Sequence, residues 1–391
     1  MNTYSKRIYA FDMLRGIVMI LMTIDHAGIV FDKFHFSRDS WFNYSSATIP
    51  HLQFIVRWIT HTCAVTFIFL AGTSLALSIG RKKSESISAA PAIDRHIFFR
   101  ALFFIGIELF YWNKFCLQVL FAIAMCYLCM IFLRRLAWRL NLIIALFLLI
   151  FNELAVHSFF SLADIDLFVI KSSARGAYID IGAIRLLFPF VHPGIPFQVG
   201  SIKINVLYPF LPWLPLMIFG WLFGEFINNK GKALLYTPKF HRLLAFGSLI
   251  LITLALMLKY INRYGNMFVY REGLSLVNWL YISKYPPSLT YFMYQTGIML
   301  ALMLLCLKIE AKKERIALFN PLIVFGQTAF FFYLIHKHVM LLPAKLFHIE
   351  GELNIWPALL AAVITMIVMY PLCILFRRVK RQRSFFILRY I

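Results

Sequence analysis

Two residues early in the chain, Arg15 and His26, have side chains that could act together on an anionic substrate. They lie eleven residues apart in an apolar stretch, so on an α-helix they share one face, about 16 Å apart along its axis. Ionisable side chains within a stretch apolar enough to cross a bilayer are costly there and are candidates for function. This face therefore offers a cation at one end, suited to phosphates, and an imidazole at the other.

The imidazole of His26 is suited to acyl transfer. Its ordinary pKa of about 6.5 lets it take a proton from an acceptor, or carry an acyl group itself, near neutral pH. A nearby carboxylate, either Asp25 or Glu108, would orient the ring and stabilise its cationic form. We therefore predict that His26 is the base or the transient acyl carrier in transfer from a thioester.

Further ionisable side chains interrupt the apolar stretches; they are Asp12, Asp25, His61, Arg100, Glu108 and His336. If successive spans alternate in direction, the three histidines and Glu108 lie in the outer half of the membrane. Asp12, Arg15 and Arg100 then lie near the cytoplasmic side. We predict a catalytic centre of His26, Asp25, Glu108, His61 and His336, and a cofactor-binding site of Arg15, Arg100 and Asp12.

Structural roles remain open for several of these residues. His61 and His336 each suit an interhelical hydrogen bond, and Asp12 could simply neutralise Arg15 three residues later. Arg100 could extend to the cytoplasmic interface as a snorkelling side chain. The sequence does not show whether the helices bring these residues together laterally.

The composition places most of the chain in a membrane. Hydrophobic residues make up 61% of the 391 positions and charged residues 14%, whereas a soluble domain carries about 25% charged residues. The net charge of +22 comes from Lys and Arg between the apolar stretches, which the positive-inside rule explains without a nucleic-acid partner. Cys126 and Cys129 form a C-x-x-C pair, but it has no second ligand pair, so we expect packing residues and no metal site.

The apolar stretches predict an all-α, polytopic bundle of about ten transmembrane helices in one domain covering residues 1–391. The predicted spans are 8–31, 59–79, 97–113, 117–133, 140–156, 207–227, 243–261, 287–307, 318–338 and 355–376. Basic clusters precede the first span and follow each even-numbered one, so both termini are predicted to be cytoplasmic. We expect an integral protein of a bacterial inner (plasma) membrane, with outer loops at about 32–58, 157–206 and 262–286.

Several segments resemble the heparan-alpha-glucosaminide N-acetyltransferase-like membrane proteins and the wider transmembrane acyltransferase group. The similarity rests on segments 7–26, 60–72, 100–108, 208–213, 284–289 and 320–336. Arg15 and His26 also reproduce the arginine, ten residues, histidine spacing of the acyltransferase-3 branch. The resemblance covers nearly the whole chain, and its combination of segments is specific although no single segment is.

The resemblance implies a transmembrane acyltransferase-like fold. It also implies transfer of an acetyl or other acyl group from cytoplasmic acetyl-CoA or another acyl-CoA to a sugar or amino-sugar acceptor outside. It points to His26 as the catalytic histidine. The lysosomal enzyme of this family is associated with a luminal-loop histidine in a His-Ala-Ser-Trp context, where this chain has Arg38-Asp39-Ser40-Trp41. His35 lies near that position and is a weaker candidate.

Other functions remain open at this stage. Intramembrane charges also mark the substrate paths of transporters, so an exporter of a lipid or glycan is the main alternative, although no inverted repeat is evident. A non-catalytic scaffold of a cell-envelope assembly is a third option. The expected partners are a small-molecule or glycan acceptor and membrane lipids, with a homodimer left open; the sequence does not distinguish N-acylation from O-acylation.

Overall fold

The structure, a computed structural model, describes residues 7–35, 39, 50–84, 90–111, 116–162, 197–199, 202–312 and 320–382. Within these ranges the α-helices are α1 (Tyr9–Phe31), α2 (His51–Thr60), α3 (Thr62–Ser84), α4 (Ala90–Gly106), α5 (Val119–Leu133), α6 (Trp138–Leu162), α7 (Phe210–Lys230), α8 (Pro238–Ile261), α9 (Leu276–Leu280), α10 (Leu289–Lys312), α11 (Pro321–Gln327), α12 (Ala329–Leu346) and α13 (Ile355–Gln382). A π-helical turn, Ile107–Tyr111, follows α4, and a 3₁₀ turn, Lys232–Tyr236, follows α7.

Seven helical segments among the described residues are long and apolar enough to cross a membrane. They are α1, the joined α2–α3 stretch, α6, α7, α8, α10 and α13. Helices α11 and α12 together are also long and apolar enough, but they are bent by 100° relative to each other. If the two helices form one broken span, the number of spans is eight. The all-α polytopic class is thus confirmed, and the two remaining predicted spans fall on the shorter helices α4 and α5.

The helix boundaries follow local sequence signals. Thr237 precedes α8 and its hydroxyl accepts a hydrogen bond from the Phe240 backbone N–H, while Pro238 occupies the first turn, where no N–H is needed. α8 ends at Asn262, whose left-handed conformation (φ 59°) closes the last turn. Short strands β1 (Cys116–Leu117), β2 (Phe197–Val199) and β3 (Ile202–Val206) pair in the order β1-β3-β2, and β1 leads directly into α5.

Helix α1 is the central helix of the bundle, because it packs against α2, α3, α10, α11, α12 and α13. Its contact with α11 is a backbone-to-backbone approach. A Cβ on Gly326 would lie 1.8 Å from the Asp12 carbonyl oxygen, and one on Gly16 would lie 2.0 Å from the Leu322 carbonyl oxygen. Glycine at these two positions therefore sets the distance between the helix that carries His26 and the bent pair that carries His336.

A second close contact joins α3 to α7. A Cβ on Gly72 would lie 2.2 Å from the Met217 carbonyl oxygen, and one on Gly220 would lie 2.0 Å from that of Phe69. Small residues allow helix backbones to approach in this way in membranes. The α3–α7 pair is therefore closely packed, and α3 in turn packs against α1.

We expect Gly326→Ala to destabilise the protein by about 3 kcal/mol, because the new methyl group meets backbone atoms, which cannot rotate away. The matched control is Gly106→Ala, since a Cβ on Gly106 would meet nothing within 4 Å. The measurement is unfolding in detergent micelles. Equal stability of the two variants would contradict the close α1–α11 contact.

Candidate functional site

The structure brings the imidazoles of His26 and His336 into direct contact. His26 Nδ1 lies 2.7 Å from His336 Nε2, and the rings are nearly parallel with centroids 5.0 Å apart. His336 is fully buried, whereas His26 keeps partial exposure. Two histidines that the sequence placed at a similar depth therefore form one hydrogen-bonded pair.

The backbone around His336 fixes which ring nitrogens carry protons in the neutral pair. His336 Nδ1 lies 2.8 Å from the Phe332 carbonyl oxygen, which can only accept, so Nδ1 carries the proton. His336 Nε2 is then an acceptor, and His26 Nδ1 must donate to it. The lone pair of His26 Nε2 is left available as a base or nucleophile.

The bend between α11 and α12 positions His336. Thr328 interrupts the pair, and its hydroxyl donates to the Val324 carbonyl oxygen at 2.7 Å. α12 then begins at Ala329 and places His336 two turns later on its buried side, next to Phe332 and Tyr333. A straight helix through this region would carry the imidazole away from α1.

A buried ion-pair network joins α1, α2 and the loop that follows α1. Arg57, which is 3% exposed, contacts Asp25 (Nη1 to Oδ1, 2.5 Å) and Asp39 (Nε to Oδ2, 2.8 Å). The Thr60 hydroxyl donates to Asp25 at 3.0 Å. Asp25 thus orients Arg57, and no hydrogen bond between the Asp25 carboxylate and the His26 ring is present. The structure therefore favours His336, not Asp25, as the group that orients His26.

His61 lies at the far end of the same network. Its Nε2 is 3.0 Å from Asp39 Oδ2, and its ring meets the ring of Tyr291 at a centroid distance of 5.9 Å. Burial opposes ionisation of Asp39, but Arg57 and His61 outweigh it, so the pKa of the Asp39 carboxyl lies well below its ordinary value. The Asp39 carbonyl oxygen accepts hydrogen bonds from the backbone N–H groups of Lys284 and Tyr285, which fixes the backbone of Asp39 itself.

His35 packs against the end of α1 close to this network. A Cβ on Gly28 would lie 2.7 Å from His35 Nδ1, so the imidazole lies directly over the glycine. Burial lowers the pKa of His35, which favours the neutral ring. His35 therefore lies at the same end of α1 as His26.

A cluster of basic side chains lies at the other end of α1. Arg15 contacts Asp12 (3.2 Å) and donates to the Ser74 hydroxyl (2.5 Å), and Asp12 also binds Arg7. The basic cluster, defined by its mutual electrostatic interactions among the described residues, comprises Arg7, Arg15, Arg100, Arg377 and Lys380. The carboxylates beside it are Asp12 and Glu310, and Glu310 accepts the N–H groups of Tyr9 and Ala10. The cations outnumber the carboxylates, so the cluster suits a multiply charged anion.

Arg100 belongs to this cluster and is held by aromatic rings. Its guanidinium lies 5.5 Å from the Phe104 ring centroid and 5.4 Å from that of Tyr127. Cation–π contacts of this kind orient an arginine without consuming its hydrogen-bond donors. Asp12, in contrast, is 2% exposed and engaged by two arginines, so its role is to hold them in place.

Glu108 does not join the histidines. Its Oε1 accepts the backbone N–H of Gln118 at 2.9 Å, immediately before α5 begins at Val119. A carboxylate at the N-terminus of a helix accepts hydrogen bonds from its unpaired N–H groups and interacts favourably with the helix dipole. The predicted role of orienting His26, assigned to either Asp25 or Glu108, does not apply to Glu108, which caps α5 instead.

Sequence analysis missed Arg57, Asp39 as a partner of His61, and Lys284. Arg57 fell in the predicted outer loop, and α2 begins at His51, before the predicted start of span two. A basic residue facing the buried side of an amphipathic segment was the available signal. Among the described residues, no three His, Cys, Asp or Glu side chains are grouped to hold a metal ion.

These features define an integral membrane protein with a buried histidine pair at one end of a central helix and a basic cluster at the other. Residues 7–261, more than half of the chain, match the family described as heparan-alpha-glucosaminide N-acetyltransferase, catalytic. The chain belongs to this family of membrane acetyltransferases. The match includes His26 and His61 and ends before His336. A comparison with curated proteins gave no match.

Proposed function

We propose that the protein transfers an acetyl group from cytoplasmic acetyl-CoA to a sugar or amino-sugar acceptor on the outer side of a bacterial inner membrane. The observation that carries the proposal is the free Nε2 of His26, on the same face of α1 as Arg15. A donor anchored by its phosphates at Arg15 would need to extend about 16 Å along α1 to bring its thioester to His26. Both chain termini are cytoplasmic in this orientation.

The chemistry follows from the protonation state of the pair. As a base, His26 Nε2 takes the acceptor's proton while the acceptor attacks the acyl carbon; the C–S bond breaks, and the imidazolium returns the proton to the CoA thiolate. As a carrier, Nε2 itself attacks the acyl carbon and releases the thiolate; the acceptor then displaces the imidazole and gives up its proton to the thiolate or to solvent. In both routes His336 Nε2 accepts a hydrogen bond from His26 Nδ1–H, and this bond stabilises the positively charged His26 ring.

The test is a transfer assay with purified protein in lipid nanodiscs, acetyl-CoA and a panel of sugars and amino sugars. We expect free CoA thiol and an acetylated product to appear together, each dependent on the acceptor. Proteoliposomes with acetyl-CoA on one side and acceptor on the other test the direction. Acceptor movement without CoA release would refute the enzyme proposal and favour the transporter alternative.

Arg15→Met is expected to raise the KM for acetyl-CoA about tenfold or more with little change in kcat, because a charge-assisted contact to phosphate is lost. The same variant should use S-acetyl-pantetheine, which lacks the nucleotide phosphates, as well as the wild type does. Arg139→Met is the matched control, since Arg139 is exposed and stacks over Trp138 outside the basic cluster. A similar loss with both donors would place Arg15 outside phosphate recognition.

A further inference from the structure

We infer that His61, held by Asp39, is a second catalytic histidine that takes the proton of the acceptor, while His26 carries the acyl group. The inference rests on the proposed function and assigns separate roles to His26 and His61. It also identifies Gln295 as the acceptor's binding partner.

The Asp39 carboxylate holds His61 in the manner of an aspartate–histidine dyad. His61 Nε2 lies 3.0 Å from Asp39 Oδ2, and both side chains are 2% exposed. Asp39 is itself fixed by Arg57 through its carboxylate and by the N–H groups of Lys284 and Tyr285 through its carbonyl oxygen. A carboxylate at one ring nitrogen selects the tautomer in which the other nitrogen is a base.

Neither ring nitrogen of His61 makes a well-aligned hydrogen bond within the described part of the chain, although both are buried. Nε2 has the Asp39 carboxylate at 3.0 Å, whereas no such contact is present at Nδ1 among the described residues. The Tyr291 hydroxyl donates to the His61 carbonyl oxygen at 2.9 Å and so holds the backbone, not the ring nitrogen. A buried polar atom without a hydrogen-bond partner costs about 1–3 kcal/mol of stability. A histidine with only a structural role has no benefit that offsets this cost. An acceptor's O–H or N–H would supply the missing partner.

A second buried group without a partner lies on the adjoining helix. Gln295 is fully buried, and neither its Oε1 nor its Nε2 has a hydrogen-bond partner among the described residues. It follows Tyr291 by one turn of α10, and its carbonyl oxygen is 3.5 Å from the Thr62 hydroxyl, next to His61. Since helical side chains lean towards the helix N-terminus, the amide extends towards the level of Tyr291 and His61. An amide donates and accepts at once, as a sugar hydroxyl or N-acyl group requires.

Gln295 lies at the level of His26. The N–H groups of Tyr9 and Ala10 donate to Glu310, so α1 and α10 share a common anchor at the basic end. His26 is sixteen residues from Ala10, and Gln295 is fifteen residues from Glu310. At 1.5 Å per residue these separations are about 24 Å and about 22 Å. The two helices pack together, so the acyl carrier and the amide occupy the same layer.

Arg57 connects the two histidines. It contacts Asp25, the neighbour of His26, and Asp39, the partner of His61. In the transfer step a bond forms between the acceptor atom and the acyl carbon, and the bond from that carbon to His26 Nε2 breaks. The acceptor's proton goes to His61 Nδ1 and then to solvent, which balances the thiolate already released as CoA.

The test compares two acceptors in His61→Gln. Hydroxylamine attacks acyl groups without a general base, whereas a sugar acceptor requires one. We expect transfer to the sugar to fall at least about 100-fold, and acetohydroxamate formation to stay within about threefold of wild type. His26→Ala should lose both products, and His51→Gln, an exposed histidine on α2, should lose neither. Loss of both activities in His61→Gln, or retention of both, would overturn the inference. A wild type that forms neither product would instead overturn the proposed function.

Gln295→Met keeps the inference testable if His61→Gln does not fold. Replacing a buried, unpartnered amide by an apolar side chain of similar volume should leave the protein equally or more stable. The KM for the sugar acceptor should rise about tenfold or more, with hydroxylamine transfer unchanged. An unchanged acceptor KM in this variant would remove Gln295 from the acceptor site and overturn that part of the inference.

Discussion

His26→Ala is expected to lower acyl transfer by about 10³-fold, the largest functional effect that we predict. The side chain that accepts a proton or carries the acyl group is removed, and alanine offers no substitute. The pair with His336 places Nε2 as the available nitrogen, so the loss concerns kcat and not the KM for acetyl-CoA. Steady-state kinetics with CoA release as the readout measures both constants.

His336→Ala provides a graded comparison, since it leaves His26 in place but removes the acceptor for its Nδ1 proton. We expect a loss of about 10- to 100-fold in kcat, smaller than for His26→Ala. His338→Ala is the matched control: His338 makes the same type of contact, to the Leu334 carbonyl oxygen at 3.1 Å, but is exposed on α12. Equal effects at positions 336 and 338 would show that the histidine pair does not determine activity.

The sequence was sufficient to predict the arrangement along α1. Periodicity fixes which residues of one helix share a face, so Arg15 and His26 could be placed at opposite ends of one face. The same rule gave the helical class and the positions of most spans. Lateral neighbours depend on how helices pack, which one sequence does not encode in its spacing. The sequence could therefore predict that His26 and His336 lie at a similar depth in the membrane, but not that their rings are in contact.

The buried ion-pair network around Arg57 could not be predicted from the sequence, because its residues look exposed when each is taken alone. Arg57 precedes the strongly apolar part of its span, and Asp39 lies in a loop, so each residue alone is typical of an exposed position. They are buried only because each neutralises the other, and because Asp25 lies on the facing helix. Glu108 shows the reverse case, since an intramembrane carboxylate suggested catalysis but caps α5.

Arg57→Met is expected to lower the free energy of unfolding by about 3–5 kcal/mol, the largest structural effect that we predict. Methionine has a similar length but no charge, so Asp25 and Asp39 would remain buried without their cation. Removing one partner of a buried pair costs far more than the pair contributes, because an unpaired charge is left behind. Denaturant unfolding in mixed micelles measures the change.

The matched control is Arg135→Met. Arg135 also binds an aspartate, Asp94, but its side chain is 55% exposed, so water replaces the lost contact and the expected cost is below about 1 kcal/mol. Combining Arg57→Met with Asp25→Asn and Asp39→Asn removes the unpaired charges and should restore part of the stability. If the triple variant were no more stable than Arg57→Met alone, the loss would arise from packing around the guanidinium. Arg57 would then stabilise the protein by packing, and not as an electrostatic link between the sites of His26 and His61.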